Sequence, residues 1–239
     1  MYYIAMISTP AVVIYSGGLD SSVILHCALK DHASVHALTF NYNQRHKKEI
    51  DKAIVYCEKN SVSQKTIDIS FYSNLASTSA LTNSTIDVPK MKDVIGDPQN
   101  SAYCPNRNMV MISIAAAYAE SIGAEHVYYG AAAVDNLSGY FDCTVEFLSA
   151  INDVLSLNRR NRIEVKAPLI ELSKKQIIEL GLSLGAHLGE TWTCYEGKEL
   201  SCGICPSCSS RIAGFKKAGF IDPLKYSVDI DWKECNILM

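Results

Sequence analysis

A chain of 239 residues with 48% hydrophobic content is long enough to bury one large core, or one core with a small appendage. Its net charge of −3 and isoelectric point near 6.1 argue against the broad basic face that grips nucleic acid without specificity, so a small-molecule substrate and no direct nucleic-acid partner are expected. No apolar run reaches the ~18 residues of a membrane span, and residues 1–10 lack the basic region and length of a signal peptide, so a cytoplasmic protein without membrane contact is expected.

In chain order, residues 11–15 (Ala-Val-Val-Ile-Tyr) are short, apolar and β-rich, and apolar residues at helical spacing follow over 20–30. A second strand is expected at 35–42, an amphipathic helix at 47–59 and a third strand at 65–69. Residues 70–83, rich in Ser, Thr and Asn, predict an irregular loop. A long Ala- and Met-rich helix spans 108–122 and ends at Gly123, with a strand at 125–130 after it. Helix at 144–157, extended chain at 163–166 and helix at 174–182 complete the alternation. Strands alternating with helices predict an α/β fold, a doubly wound parallel sheet, over 1–188, and the remaining residues 189–239 predict a small metal-binding C-terminal lobe.

The stretch Tyr15-Ser16-Gly17-Gly18-Leu19-Asp20-Ser21-Ser22 joins the first strand to the first helix. Gly17 and Gly18 allow backbone dihedrals closed to other residues and let the chain approach a ligand, while free amides at the helix start face a phosphate. Ser16, Ser21 and Ser22 add hydroxyl donors, and Asp20 suits a helix cap or a Mg2+ ligand. No Gly-Lys-Ser/Thr follows as in a Walker A loop, and the dinucleotide fingerprint is absent; an ordinary Gly-Gly turn before a capped helix is the alternative.

Nine cysteines in a reducing compartment make a poor disulfide framework. Cys194-x7-Cys202-x2-Cys205-x2-Cys208 gathers four thiols, with Gly203 and Pro206 supplying tight turns, and tetrahedral zinc is the natural occupant. A redox Cys-x-x-Cys pair and an iron–sulfur cluster are the alternatives. Cys27 and Cys57 fall on helix faces and read as buried side chains.

Gln44, Arg45 and His46 follow the second strand on the same sheet edge as the glycine loop, where a ligand binds in such sheets, whereas Lys47 and Lys48 read as a solvated helix start. Arg107, in Pro105-Asn106-Arg107-Asn108, offers a second anion clamp, with a helix cap equally open for Asn106 or Asn108. Asp135, Tyr140 and Asp142 lie in a stretch of small residues suited either to a pocket wall or to a surface loop.

The glycine loop resembles the PP-loop of enzymes that adenylate a substrate oxygen and release pyrophosphate. Together with Gln44-Arg45-His46, Glu49, Pro105-Asn106-Arg107-Asn108, residues 138–143, Ala167-Pro168-Leu169, Ser173-Lys174, residues 190–195, the cysteine cluster, Arg211, Ala218-Gly219 and Asp222-Pro223, it resembles the 7-cyano-7-deazaguanine synthase family (QueC) over nearly the whole chain. The resemblance implies an adenine nucleotide alpha hydrolase-like fold and a zinc-containing homodimer. It implies a ligase that converts 7-carboxy-7-deazaguanine and ammonia to the 7-cyano compound with two ATP, through an acyl adenylate, an amide and an adenylated amide. Asp20, His46, Arg107 and Lys174 are then catalytic, the loop 15–22 holds ATP with Mg2+, Gln44, Arg45, Asp135, Tyr140 and Asp142 hold the deazaguanine, and Cys194, Cys202, Cys205 and Cys208 hold zinc. The chain departs from the family where Thr144-Val145 replaces Arg-Pro and where 131–134 is apolar. Placed in the base pocket, these changes leave a variant that stops at the 7-amido compound as an alternative; a tRNA-modifying PP-loop enzyme is a second, less favoured for want of a basic face.

Overall fold

The computed structural model describes residues 6–133, 139–158, 162–233, 235 and 237–238. Five parallel strands, β1 (Ala11–Ile14), β2 (Val35–Asn41), β3 (Ser63–Asp68), β4 (His126–Tyr128) and β5 (Glu164–Lys166), form one sheet in the order β3-β2-β1-β4-β5. The chain winds outward from β1 to β3 and then returns to set β4 on the other side of β1, pairing Val12 with both His36 and Val127. A crevice therefore opens between β1 and β4 at their carboxyl ends, where strand order reverses.

The helices are α1 (Leu19–Asp31), α2 (Lys48–Lys59), α3 (Tyr72–Leu75), α4 (Arg107–Ile122), α5 (Val145–Ser156), α6 (Lys174–Ser183) and α7 (Pro206–Ala218). Alternate residues of β1 face opposite layers, as the two-residue period of a strand requires. Ala11 and Val13 pack with Val23 and Ile24 of α1, Ala53 of α2 and Ile177 of α6. Val12 packs with Ile112 and Ala115 of α4 and Phe147 of α5 on the other side. This double burial explains why β1 reads as an unbroken apolar run. Gly123 ends α4 in the left-handed conformation at φ 72°, as its position in the sequence predicts.

Two elements differ from the sequence-based expectation. Within residues 70–83 a single turn, α3, forms because Tyr72 is buried and its hydroxyl donates to the Pro105 carbonyl at 2.7 Å. In the C-terminal part, Pro206 makes no turn; it is the first residue of α7, where its missing N–H goes unmissed, and Gly203 alone makes the bend at φ 77°. Helix α7 lies hard against α6: a Cβ at Gly214 would stand 2.4 Å from Cγ of Lys174, and Phe215 is buried with the α1 and α6 side chains. A small parallel pair, β6 (Phe220–Ile221) with β7 (Ile237–Leu238), follows. Among the described residues no helix is long and apolar enough to cross a membrane.

Gly17 is where backbone and fold demand glycine most. It sits at φ 82°, and a Cβ there would lie 2.4 Å from the Glu49 carbonyl oxygen and 2.9 Å from the Ala53 nitrogen of α2. Gly17→Ala should therefore combine backbone strain of about 1–3 kcal/mol with displacement of α2. A fall in thermal midpoint together with loss of nucleotide binding is the expected outcome in differential scanning fluorimetry with and without ATP.

Candidate active site

A cleft of about 300 Å³ opens at the crevice between β1 and β4. Its floor is the glycine loop: Tyr15, Ser16, Gly18, Leu19, Asp20 and Ser21 all line it. The loop is braced by its own hydroxyls. Ser22 Oγ and Ser21 Oγ both donate to the Gly18 carbonyl, at 2.9 and 3.1 Å, the Gly18 amide donates to Ser16 Oγ at 3.2 Å, and Ser22 Oγ also meets the buried Tyr15 hydroxyl at 3.1 Å. Burial pushes the Tyr15 phenol far above its ordinary range, so it remains a neutral brace. Gly17 and Ser22 lie behind the lining, the first locked onto α2 and the second fully buried.

Asp20 is not the cap of α1: Gly18 holds that position without a side-chain bond. Both carboxylate oxygens of Asp20 instead lie 2.6 Å from Nζ of Lys174, across the cleft floor. Lys174 opens α6, whose capping box joins Ser173 and Gln176. A cation at a helix start opposes the helix dipole, and Asp20 offsets that charge. A carboxylate and an ammonium are thus held together at the floor of the cleft.

Arg107 and Asn108 line the opposite wall from the first turn of α4. The Arg107 guanidinium stacks on the Tyr42 ring, 5.6 Å from its centroid, and Nη1 donates to the Tyr42 hydroxyl at 3.3 Å. Asn106 occupies the N-cap position in the left-handed conformation, φ 53°, with no capping bond from its side chain. Asp142 is buried in the same wall; burial pushes its carboxyl above the usual range, while Arg107 and the Asn108 backbone N–H oppose that rise. Tyr140 also lines the cleft, stacked on Tyr103 at 5.9 Å and bonded to Asn100 through its hydroxyl. Asp135 lies outside the described residues.

Of the residues after β2, His46 reaches the cleft while Gln44 and Arg45 do not line it. Gln44 is buried and folds back on its own strand end: its Oε1 accepts from the Tyr42 N–H at 3.0 Å, and its Nε2 donates to the Phe40 carbonyl and to Glu49 Oε1, each at 3.1 Å. Arg45 turns away to bind the carbonyls of Asn83, Ser84 and Ile86. Thr144 and Val145 also stand off the cleft, contrary to the expectation that the departures fall in the base pocket. Thr144 caps α5, its Oγ accepting from the Phe147 N–H at 3.1 Å and donating to the Phe141 carbonyl at 2.9 Å, and Val145 is half exposed. Ala131 and Ala132 are core residues.

A strap at 191–195, given no separate role in the sequence, closes one side of the cleft. The Trp192 N–H donates to the Gly17 carbonyl at 2.8 Å, Lys48 lies 4.2 Å above the Trp192 ring, and the Tyr195 ring lies 5.6 Å from that of His46. Arg211 ties the strap to α7. Its Nε and Nη2 form a fork on Asp222 at 2.6 and 2.9 Å, and Nη1 donates to Thr191 and Thr193 at 2.7 and 3.1 Å. Arg211 and Asp222 are flagged in the sequence by resemblance alone, because their partners are twenty and eleven residues away.

The strap runs straight into Cys194. The sulfurs of Cys194, Cys202, Cys205 and Cys208 all lie within 4.8 Å of one another, a group able to hold a metal ion. Backbone N–H groups of Cys202, Cys205 and Cys208 donate to the sulfurs of Cys194, Cys202 and Cys205 at 3.3–3.5 Å, as thiolate ligands require.

The family model described as "Queuosine biosynthesis protein QueC" matches residues 10–219. A 7-cyano-7-deazaguanine synthase of Alteromonas mediterranea is 44% identical over 226 residues, covering 92% of this chain and 99% of the relative. A 7-cyano-7-deazaguanine synthase 1 of Colwellia psychrerythraea is 42% identical over 90% of this chain and 97% of its own. Among solved structures, the U34-tRNA thiolase NcsA of Methanococcus maripaludis superposes with a TM-score of 0.50 at 16% identity, over 78% of this chain and 60% of that one, which supports the shared PP-loop fold. A PP-loop sheet, a cleft at its switch point and near-complete matches to these relatives place the chain in the QueC family of queuosine biosynthesis proteins.

Proposed function

We propose that this protein is an AMP-forming carbon–nitrogen ligase that converts 7-carboxy-7-deazaguanine and ammonia to 7-cyano-7-deazaguanine (preQ0), using two ATP. The observation that carries the reading is the Asp20–Lys174 pair beneath the braced glycine loop, in a chain related at 44% identity to a 7-cyano-7-deazaguanine synthase. Over the loop amides a triphosphate would find Lys174 as a cation for one of its phosphates; Asp20, freed from that lysine, would hold Mg2+, which would supply charge neutralisation on the phosphates. Arg107 offers the remaining cation for the α-phosphate or the substrate carboxylate, in line with its place opposite the loop. The carboxylate attacks the α-phosphate and expels pyrophosphate, ammonia displaces AMP to leave the amide, and adenylation of the amide oxygen, again with release of pyrophosphate, followed by loss of AMP and both amide protons gives the nitrile. Tyr140 and Asp142 hold the deazaguanine, Asp142 through the N–H groups of its pyrimidine edge; Asp135 is assigned there on resemblance alone.

The reading that the reaction stops at the amide loses its support, because Thr144 and Val145 stand away from the cleft. Gln44 and Arg45 act at one remove, by shaping the turn that presents His46. The family resemblance supports a cytoplasmic homodimer. Incubation with 7-carboxy-7-deazaguanine, ATP, Mg2+ and ammonium, read by mass spectrometry, should give the nitrile; persistent amide or untouched acid would reject this function.

We assign zinc to the four cysteines, since tetrahedral thiolate sites without an open position suit it. Purified protein should carry about one zinc per chain. Cys205→Ser should lower both metal content and soluble yield, measured by inductively coupled plasma mass spectrometry and size exclusion, because the metal contributes folding energy to the lobe.

A further inference from the structure

Arg107 is a cation without an anion. Its guanidinium lies over the Tyr42 ring and gives one N–H to the Tyr42 hydroxyl at 3.3 Å; burial pushes that phenol above its ordinary range, so the contact is with a neutral group. Among the described residues no carboxylate comes within ion-pair distance of Arg107, and its other guanidinium N–H groups have no hydrogen-bond partner. Asp142, in the same wall, moderates the charge without pairing to it. The unbonded nitrogens are not sealed in: Arg107 is half-buried, lines the cleft, and those nitrogens keep accessible surface. A planar guanidinium with open donors suits an anion with two adjacent oxygens.

The cations of the cleft are sorted by place. Lys174 sits on the floor under the glycine loop, Arg211 is already forked on Asp222, and Arg107 stands in the wall with Tyr140 and Asp142, where the function proposed above seats the deazaguanine. We propose that Arg107 holds the substrate carboxylate, not a phosphate, and so selects the acid over the amide at the first adenylation. This rests on the function proposed above and names the contact within it that recognises the acid. One carboxylate oxygen takes the guanidinium while the other forms the bond to the α-phosphorus; the bond to pyrophosphate breaks, and pyrophosphate leaves with that electron pair. In the amide that follows, the oxygen must face the α-phosphorus in turn, so the NH2 group takes the place of the oxygen that Arg107 held. N–H donors then meet N–H donors, and Arg107 contributes no bond to the second adenylation.

Arg107→Gln decides this when 7-carboxy-7-deazaguanine with ammonium and 7-amido-7-deazaguanine are supplied separately, with saturating ATP and Mg2+, and AMP release gives kcat/KM for each. The ratio of the acid value to the amide value should fall about 10²-fold in the variant, because the acid loses a charge-assisted pair while the amide NH2 gains a side-chain oxygen. Arg107→Lys, which keeps the charge but not the fork, should give an intermediate ratio. A wild-type ratio in both variants overturns the proposal, since a phosphate contact or a purely structural role would cut both substrates alike. With a wild type active on both substrates, that result removes the clamp and leaves the function standing; a wild type inactive on both removes the two together.

Discussion

Asp20→Ala should abolish AMP formation from ATP, with a loss of at least about 10³-fold, because it removes the one carboxylate that bonds Lys174 through both oxygens at 2.6 Å. Two effects add. The proposed Mg2+ site would lose its carboxylate, and Lys174, freed from its partner, is no longer aimed by the rigid start of α1. The pair is partly buried, with side-chain exposures of 27% and 13%, so the change should lower the thermal midpoint by only a few degrees. Metal content should match the wild type, since among the described residues Asp20 bonds Lys174 and none of the four cysteines. Lys174→Met should lose activity to a similar degree. AMP release at wild-type rates in either variant would show that the phosphates sit elsewhere.

Arg211→Leu should have the largest effect on stability. The arginine is 1% exposed and its carboxylate partner Asp222 is fully enclosed, also accepting from Tyr226 at 2.6 Å and from the Leu224 N–H at 3.0 Å. Removing the cation strands a buried charge and costs about 3–5 kcal/mol. Replacing both members of the pair with apolar residues should recover part of that loss, since the desolvation cost disappears with the charges. Urea unfolding of the single and double variants measures this directly. Activity should fall as well, because Thr191 and Thr193 anchor the strap whose Trp192 N–H holds the Gly17 carbonyl. A single variant as stable as the wild type would remove Arg211 from its structural role.

The parts of the fold that were legible in the sequence are those dictated by local pattern. β1 and α1 follow from an apolar run, paired glycines and helical spacing, and α4 ends where Gly123 permits the left-handed turn. The edge of the sheet that carries the site was legible too, since strands alternating with helices put every loop that follows a strand on one side. Side-chain direction was not. Gln44, Arg45 and His46 are consecutive, yet one braces its own strand, one leaves for the loop at 83–86 and one enters the cleft. Adjacent residues at a turn point in different directions, and only the packed partners decide which. Helix α7 is hidden in the sequence because Cys205 at its N-cap and Cys208 in its first turn carry a spacing that speaks of metal ligands before it speaks of a helix. Asp20 likewise suits a cap or a Mg2+ ligand in the sequence, and its partner Lys174 lies 154 residues away. Departures at Thr144 and Val145 are alarming as letters, but a threonine at an N-cap is ordinary helix chemistry.

In the proposed reaction a nucleotide seated on the β1–α1 loop transfers its adenylyl group to an oxygen of a deazapurine carboxylate. Supplying 7-carboxy-7-deazaguanine with both carboxylate oxygens as oxygen-18, and weighing the AMP released, decides whether that transfer occurs. Each AMP should carry one heavy oxygen, the first from the carboxylate and the second from the amide, and the nitrile should carry none. Unlabelled AMP, or ADP in its place, would contradict the account.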